Sequence, residues 1–440
     1  MMKSDVTNLS GFIPVRGMRD FLPKEARRIS HVEELSRKLA RLYLYDEVIT
    51  PILESHELLA AKAGEEIRHR MYTFEDLGGR EVALRPEFTP SIARLVATKM
   101  KTYPKPMRLF CVGSLYRYDE PQYGRYREFW QANYELIGSS RREADAETLI
   151  LTNDFIQKLG LHNYCFKVGH VGILRGVMSQ EGVDEQKQSR IMQLLDKKEW
   201  DTALELIKET GVSAQCVKTL EEIFAIKGKD AFQVLERVRK SLKDYDTAIA
   251  ATNNLREIVE LTKKGAASFD MSIEPGFARG LEYYTGLIFE PYIPGMDIAL
   301  GGGGRYDRLI ELFGGEPTPA VGVALGIDRL ALAAKEQKVR HKAAIQRRVL
   351  IIPIRDELSF EAVGLSLRLR REGISAEVEI MGRTVSRALQ DADRRQVTHV
   401  VILGPDELKE EMVVLRDMKN RKQKTVKMEQ LSEAILKDAH

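Results

Sequence analysis

Arg117, Arg125 and Arg127 crowd around one chain reversal, and Gln131, Asn133 and Glu135 follow on a single face of the returning segment. Read with period two, RLFCVGSLYRYDEPQYGRYREFWQANYELIG (108–138) is a pair of strands. Cys111, Gly113, Leu115 and Arg117 share one face of the first, while Trp130, Ala132, Tyr134 and Leu136 take the opposite face of the second. The polar run Asp119 to Gly124 makes the turn. Cations beside an amide and a carboxylate suit a substrate carrying both phosphates and a polar organic group. An ordinary hairpin with a solvated loop fits the same residues, so the rest of the chain has to decide.

Four further stretches could contribute. LRPEFTPSIAR (84–94) sets Arg85, Glu87 and Thr89 just before a helix starting near Thr89–Pro90, where free N–H groups meet side chains able to hold an ammonium or hydroxyl. A plain Thr cap followed by Pro is the simpler alternative. EPGFARGLEYYTG (274–286) carries Arg279, destined either for a core carboxylate or for an anionic ligand. Tyr283 and Tyr284 are expected there on opposite faces of a strand. LGGGGRYDRL (300–309) matches neither phosphate-loop pattern, so its glycines are expected to let backbone approach a flat ligand or another strand. In VGVALGIDRLALAA (321–334), Arg329 sits in the first turn of a helix, where a cation opposes the macrodipole; a ligand anion or a surface salt bridge would explain it.

The elements that must position these residues fall into parts. Residues 1–167 open with a helix from Pro23 to about Tyr43. Strand-like pieces follow at Glu47 to Pro51, Tyr72 to Glu75 and Glu81 to Leu84, with a helix from Pro90 to Lys101. Helical spacing dominates 172–265, and strand character returns near SFDMSIEPG. A helical segment thus interrupts one α/β unit. After the charged linker KEQKVRHKAAIQRR, the runs RVLIIPI, SAEVEI, THVVILG and EMVVLRD alternate with helical pieces, implying a small, mostly parallel α/β domain.

The bulk composition bounds the function. At 440 residues, two to four domains are expected, and 43% hydrophobic with 30% charged residues suits a soluble protein. No apolar run is long enough for a membrane span, and three scattered cysteines suit a reducing cytoplasm rather than a disulfide or zinc framework. The formal net charge of +3 leaves any polyanion to local patches, such as Arg416 to Lys427 with six basic residues against one acid.

Taken in order, these segments resemble a class II aminoacyl-tRNA synthetase of the histidyl family. GMRDFLPKE (17–25) is similar to the first class motif, Arg117 through Glu135 to the second, and Gly322 to Leu330 to the third. RPEFT (85–89), GRYREF (124–129), RGLEYYTG (279–286) and GGGRYD (302–307) are more specific to that family. The resemblance implies an α+β catalytic domain with an antiparallel six-stranded sheet flanked by helices, a helical insertion, and a C-terminal α/β anticodon-binding domain. The expected boundaries are 1–170, 171–266, 267–336, a linker at 337–347, and 348–440.

It also implies a ligase that activates L-histidine with ATP, Mg2+ accompanying the nucleotide, and then charges tRNA(His). A cytoplasmic homodimer is expected. Arg279, Arg117 and Arg329 are the implied catalytic residues, with Arg117 and Arg279 at the α-phosphate and Arg329 at the γ-phosphate end. Glu87, Thr89, Arg117, Gln131, Glu135, Arg279, Tyr283, Tyr284 and Tyr306 are implied for histidine. For ATP they are Arg117, Arg125, Glu128, Gln131, Gly304 and Arg329. No protein metal motif is present. Two departures stand out: Glu282 replaces the family's usual Asp, and Glu120 stands where bacterial forms carry Arg. The rival readings are a regulatory subunit of ATP phosphoribosyltransferase and a tRNA-binding sensor with a dead site.

Overall fold

Pro23 opens the first long helix, Pro23–Leu42, where its missing N–H and preset φ suit the first turn. That helix lays Val32, Ser36, Leu39 and Ala40 on the core. The structure is a computed structural model and describes residues 12–265, 270–296, 298–339 and 347–437. The chain divides into two compact units between Val339 and Arg340.

The strands of the first unit are β1 (Asp46–Glu47), β2 (Leu53–Ser55), β3 (Thr73–Glu75), β4 (Glu81–Leu84), β5 (Met107–Tyr116), β6 (Glu128–Ile137), β7 (Cys165–His170), β8 (Asp270–Ile273), β9 (Leu287–Tyr292), β10 (Gly301–Arg305) and β11 (Ala320–Gly326). The large sheet runs β1-β5-β6-β11-β10-β9-β7-β8. Its six central strands are antiparallel throughout, as the family resemblance implied. A short parallel strand is added at each edge, β1 on β5 and β8 on β7. Strands β2, β4 and β3 form a separate small sheet. The segment Glu47 to Pro51 is strand only at its first residue.

The register of β5 and β6 explains the opening pattern. Gly113 faces Gln131, Cys111 faces Asn133 and Leu109 faces Glu135, so these side chains share one surface. On the other surface Phe110 and Tyr134 pack into the core with ring centroids 5.0 Å apart. The loop between the strands closes through a bridge at Gln122 and Arg125, with Gly124 in the left-handed region that its turn requires.

Helices fill the stretch from Val171–Gln180 to Asp246–Gly265. Their starts are written in the sequence: Asp184, Ser213 and Asp230 each accept a bond from the backbone N–H three residues on. The last of them buries Ala248, Leu255, Ile258 and Val259 along one face. The expected boundary at 266–267, residues 268–269 of the strand expected from SFDMSIEPG, and positions 340–346 of the expected linker lie outside the described residues.

The second unit holds β12 (Arg348–Pro353), β13 (Ser375–Val378), β14 (His399–Leu403), β15 (Met412–Asp417) and β16 (Lys422–Lys427), in the order β13-β12-β14-β15-β16. The first three are parallel. The last two add an antiparallel hairpin, and that hairpin carries the basic run from Arg416 to Lys427.

Candidate active site

Arg117, Arg279 and Arg329 arrive from three distant parts of the chain at one cavity. It lies over strands β6, β11, β10 and β9, and Arg125, Glu87, Gln131, Glu135 and Gly304 also line it. Each arginine is held by the protein yet keeps donors toward the cavity. Arg117 Nε donates to the Pro86 carbonyl at 2.9 Å. Arg279 Nη1 donates to Glu290 Oε2 at 2.9 Å, so its carboxylate partner lies within the site wall. Arg329 donates to the carbonyls of Ala299 and Gly124, and among the described residues it pairs with no carboxylate, which argues against the surface salt bridge as its reason for being there. Burial, with Arg117 and Arg125 nearby, lowers the Arg329 guanidinium to about 10. Like-charged groups gathered at that cost are suited to an anion.

At the other end the cavity wall presents buried hydrogen-bond acceptors. The Tyr283 hydroxyl donates to Glu87 Oε2 at 2.8 Å, while Glu87 Oε1 is buried and accepts no bond among the described residues. Gln131 Oε1 is likewise buried and without a partner. Burial raises the Glu87 carboxyl, offset by Arg117, the Tyr283 hydrogen bond and Arg279. Glu135 is fully enclosed. Its Oε1 accepts from Thr89 Oγ1 at 2.9 Å and Asn133 Nδ2 at 3.0 Å, and Oε2 accepts from the Tyr306 hydroxyl. Burial pushes Glu135 up to about 7 against these bonds.

Glycines make the room. A Cβ on Gly302 would stand 2.2 Å from Arg279 Nη1, and one on Gly304 would stand 2.9 Å from the Tyr284 ring. The glycine run lets the strand approach these side chains and, at Gly303, the neighbouring strand, where a Cβ would stand 2.3 Å from the Gly322 carbonyl oxygen; approach to another strand was expected, approach to side chains was not.

Several expectations are corrected. Residues 279–286 are not a strand, and Tyr283 and Tyr284 do not point to opposite faces. Both line the cavity, with ring centroids 5.0 Å apart. Thr89 does not cap its helix, because Phe88 occupies the cap position and the hydroxyl turns to Glu135 instead. Arg127, expected with Arg117 and Arg125, is buried in the hairpin loop, bonding the Asp119 carbonyl and stacking on Tyr118. Arg85 bridges the carbonyls of Thr50, Pro51 and Ser114. Glu128 does not line the cavity; its Oε1 accepts from the Tyr116 hydroxyl at 2.9 Å.

The two departures also find places. Glu282 turns out of the cavity to the helix Glu185–Asp196, where Gln193 Nε2 donates to it at 2.7 Å. Glu120 pairs with Arg16 at 2.7 Å on the surface.

The sequence reading missed Glu290, Asp328 and Gly322. Asp328 ties Arg19 to the Trp130 backbone N–H, and the Arg19 guanidinium lies over Tyr126. The one trace of Glu290 in the sequence is a lone acid inside the apolar strand LIFEPY.

A family model described as Histidyl-tRNA synthetase matches residues 17–330, and one described as Anticodon binding domain matches residues 348–438. The histidine–tRNA ligase of Methanocaldococcus jannaschii is 40% identical over 95% of this chain and 98% of its own length. Among solved structures, the histidyl-tRNA synthetase of Nostoc superposes with a TM-score of 0.79 at 21% identity, covering 98% of this chain and all of that one. A Bacillus halodurans protein titled as an ATP phosphoribosyltransferase regulatory subunit/histidyl-tRNA synthetase gives 0.75 at 26% identity, covering 89% of this chain and 98% of that one. With a clustered arginine site, an antiparallel six-stranded core and full-length kinship all agreeing, the chain belongs to the histidyl-tRNA synthetase family.

Proposed function

We propose that this protein is a histidine–tRNA ligase whose cavity joins histidine to ATP and then passes the histidyl group to the 3′ end of tRNA(His). The observation that carries the reading is the meeting of Arg117, Arg279 and Arg329 with the unpartnered acceptors Glu87 Oε1 and Gln131 Oε1 in one cavity. Those acceptors take the histidine ammonium. Tyr283, Tyr284, Tyr306 and Glu135 surround the imidazole, so an analogue lacking its nitrogens would leave buried polar atoms unpaired.

In the first step a histidine carboxylate oxygen bonds to the α-phosphorus and the bond to the departing pyrophosphate breaks. Charge grows on the phosphoryl oxygens, and Arg117 and Arg279 meet it from fixed positions. Arg125 and Arg329 hold the leaving phosphates, with Gly304 in the wall of the same cavity. Arginine suits these places because it stays charged when partly buried and binds oxyanions through a planar fork. In the second step a terminal ribose hydroxyl of the tRNA attacks the histidyl carbonyl and AMP departs.

Mg2+ comes with the ATP phosphates in this reading. Two carboxylates at the cavity are already engaged, Glu290 by Arg279 and Asp328 by Arg19. The second unit reads the anticodon. A homodimer is supported by the large apolar side chains left exposed near the start of the chain, including Phe12, Ile13, Val15, Leu22 and Ile49. No helix among the described residues is long and apolar enough to cross a membrane. The three buried free thiols, Cys111, Cys165 and Cys216, suit the cytoplasm.

Retention of all three arginines and of the second unit favours the ligase over a regulatory subunit or a dead sensor. Histidine-dependent ATP–pyrophosphate exchange by the pure protein tests it. Absence of exchange in folded protein would sink the proposal.

A further inference from the structure

The loop that carries Arg279, Tyr283 and Tyr284 has neither helix nor strand from Arg279 to Thr285. Its shape therefore depends on what grips it. Arg279 is tied to Glu290, and Tyr283 to Glu87. At the end of the loop the Thr285 N–H donates to the Arg305 carbonyl and its hydroxyl accepts from the Asp307 N–H, while the middle of the loop meets the helix Glu185–Asp196. Gln193 Nε2 donates to Glu282 Oε1 at 2.7 Å, and the Asp196 carboxylate abuts Gly280, where a Cβ would stand 2.8 Å from Oδ2. Beside Gln193 the turn at Gly64 also comes close to the loop, a Gly64 Cβ standing 2.4 Å from the Gly280 carbonyl oxygen and 4.0 Å from Gln193 Nε2.

That helix is built for two-sided duty. Ile191, Leu194 and Leu195 are buried in the apolar core. Ser189, Gln193 and Asp196 recur at helical spacing along the other side. Arg190 pairs with Glu65 at 2.9 Å on the exposed side of the helix. Glu282 lies next in sequence to Tyr283, so the Gln193 bond acts one residue away from the ring that closes on Glu87.

We infer that Gln193 is a positioning residue for the histidine pocket, acting through Glu282. By this bond the helical segment sets the pose of Tyr283 and Tyr284 and hence the affinity for the amino acid. The inference rests on the proposed histidine-activating site and adds a determinant outside it. It also accounts for Glu282, whose carboxylate faces an amide donor on a helix rather than the substrate.

A side-chain exchange tests it in the full chain, with histidine-dependent ATP–pyrophosphate exchange as the readout. Gln193→Glu sets two carboxylates against each other and should raise the KM for histidine about tenfold, the scale of one lost hydrogen bond to a charged group, while the KM for ATP stays within about twofold. Adding Glu282→Gln restores a donor and an acceptor in reversed order, and should bring the histidine KM back to within about twofold of the parent. An unchanged histidine KM in Gln193→Glu would overturn the inference. So would a double variant no better than the single one, or a parallel rise in both KM values, which would mean general loosening. If the parent itself shows no exchange, the underlying reading of the cavity falls, and the inference with it.

Discussion

Gly322 stands directly across the sheet from Glu135, and a Cβ built on it would come 1.7 Å from Glu135 Oε2. The carboxylate cannot swing aside, because Thr89, Asn133 and Tyr306 all hold it. Gly322→Ala should therefore destabilise the protein by about 1–3 kcal/mol through overpacking and abolish detectable histidine activation. Thermal melting and exchange assays read the two effects. Gly364→Ala is the control: that glycine lies within the helix Ser359–Arg371 with open space around it. Stability there should rise by about 0.5–1 kcal/mol.

Glu135 should also leave a mark on the pH dependence of stability. Burial raises its carboxyl from 4.5 to about 7 in the folded protein. Between those values the folded state keeps a proton that the unfolded chain has released. The contribution of this site is thus complete below about pH 4.5 and lost as pH rises through about 7. Glu135→Gln cannot titrate. The stability difference between parent and variant, measured by denaturant unfolding, should shift against the parent across that window and stay flat below it.

Arg279→His should lower the exchange rate by about a hundredfold to a thousandfold, the usual cost of removing one charge-stabilising donor. Histidine binding measured by calorimetry should be largely kept. Near-normal exchange would remove Arg279 from the proposed chemistry.

Ending the chain after Val339, where the first compact unit stops, should spare adenylate formation and cripple tRNA charging. Within the second unit, β16 and the turn before it expose Arg421 and Lys422. Replacing both with Ala should weaken tRNA binding and lower its salt dependence by up to about one logarithmic unit per lost phosphate contact. Equal charging by full-length and truncated protein would argue against anticodon reading there.

Much of this architecture follows from local chemistry. Period-two alternation placed Gln131, Asn133 and Glu135 on one face of β6, and Pro23 marked the start of the first long helix. The family motifs supplied the six-stranded antiparallel core that no local pattern contains. The loop at Arg279 to Thr285 read as strand because its aromatic and apolar residues have strand propensity. Its backbone instead follows side-chain anchors at Glu87, Gln193 and Glu290, which lie far from it in sequence or on another element.

By itself, then, the sequence determined which residue types were available and which short segments would carry them, because propensity and alternation act over a few residues. Only the tertiary structure decided that Arg329 bonds carbonyls and that Arg127 turns away from the cavity. It also decided that Glu282 faces a helix and that Glu290 backs Arg279. Those outcomes depend on contacts between residues as far as 205 positions apart, the separation of Arg329 and Gly124. Such contacts form only when the sheet brings its strands into register, and no local rule encodes that distance.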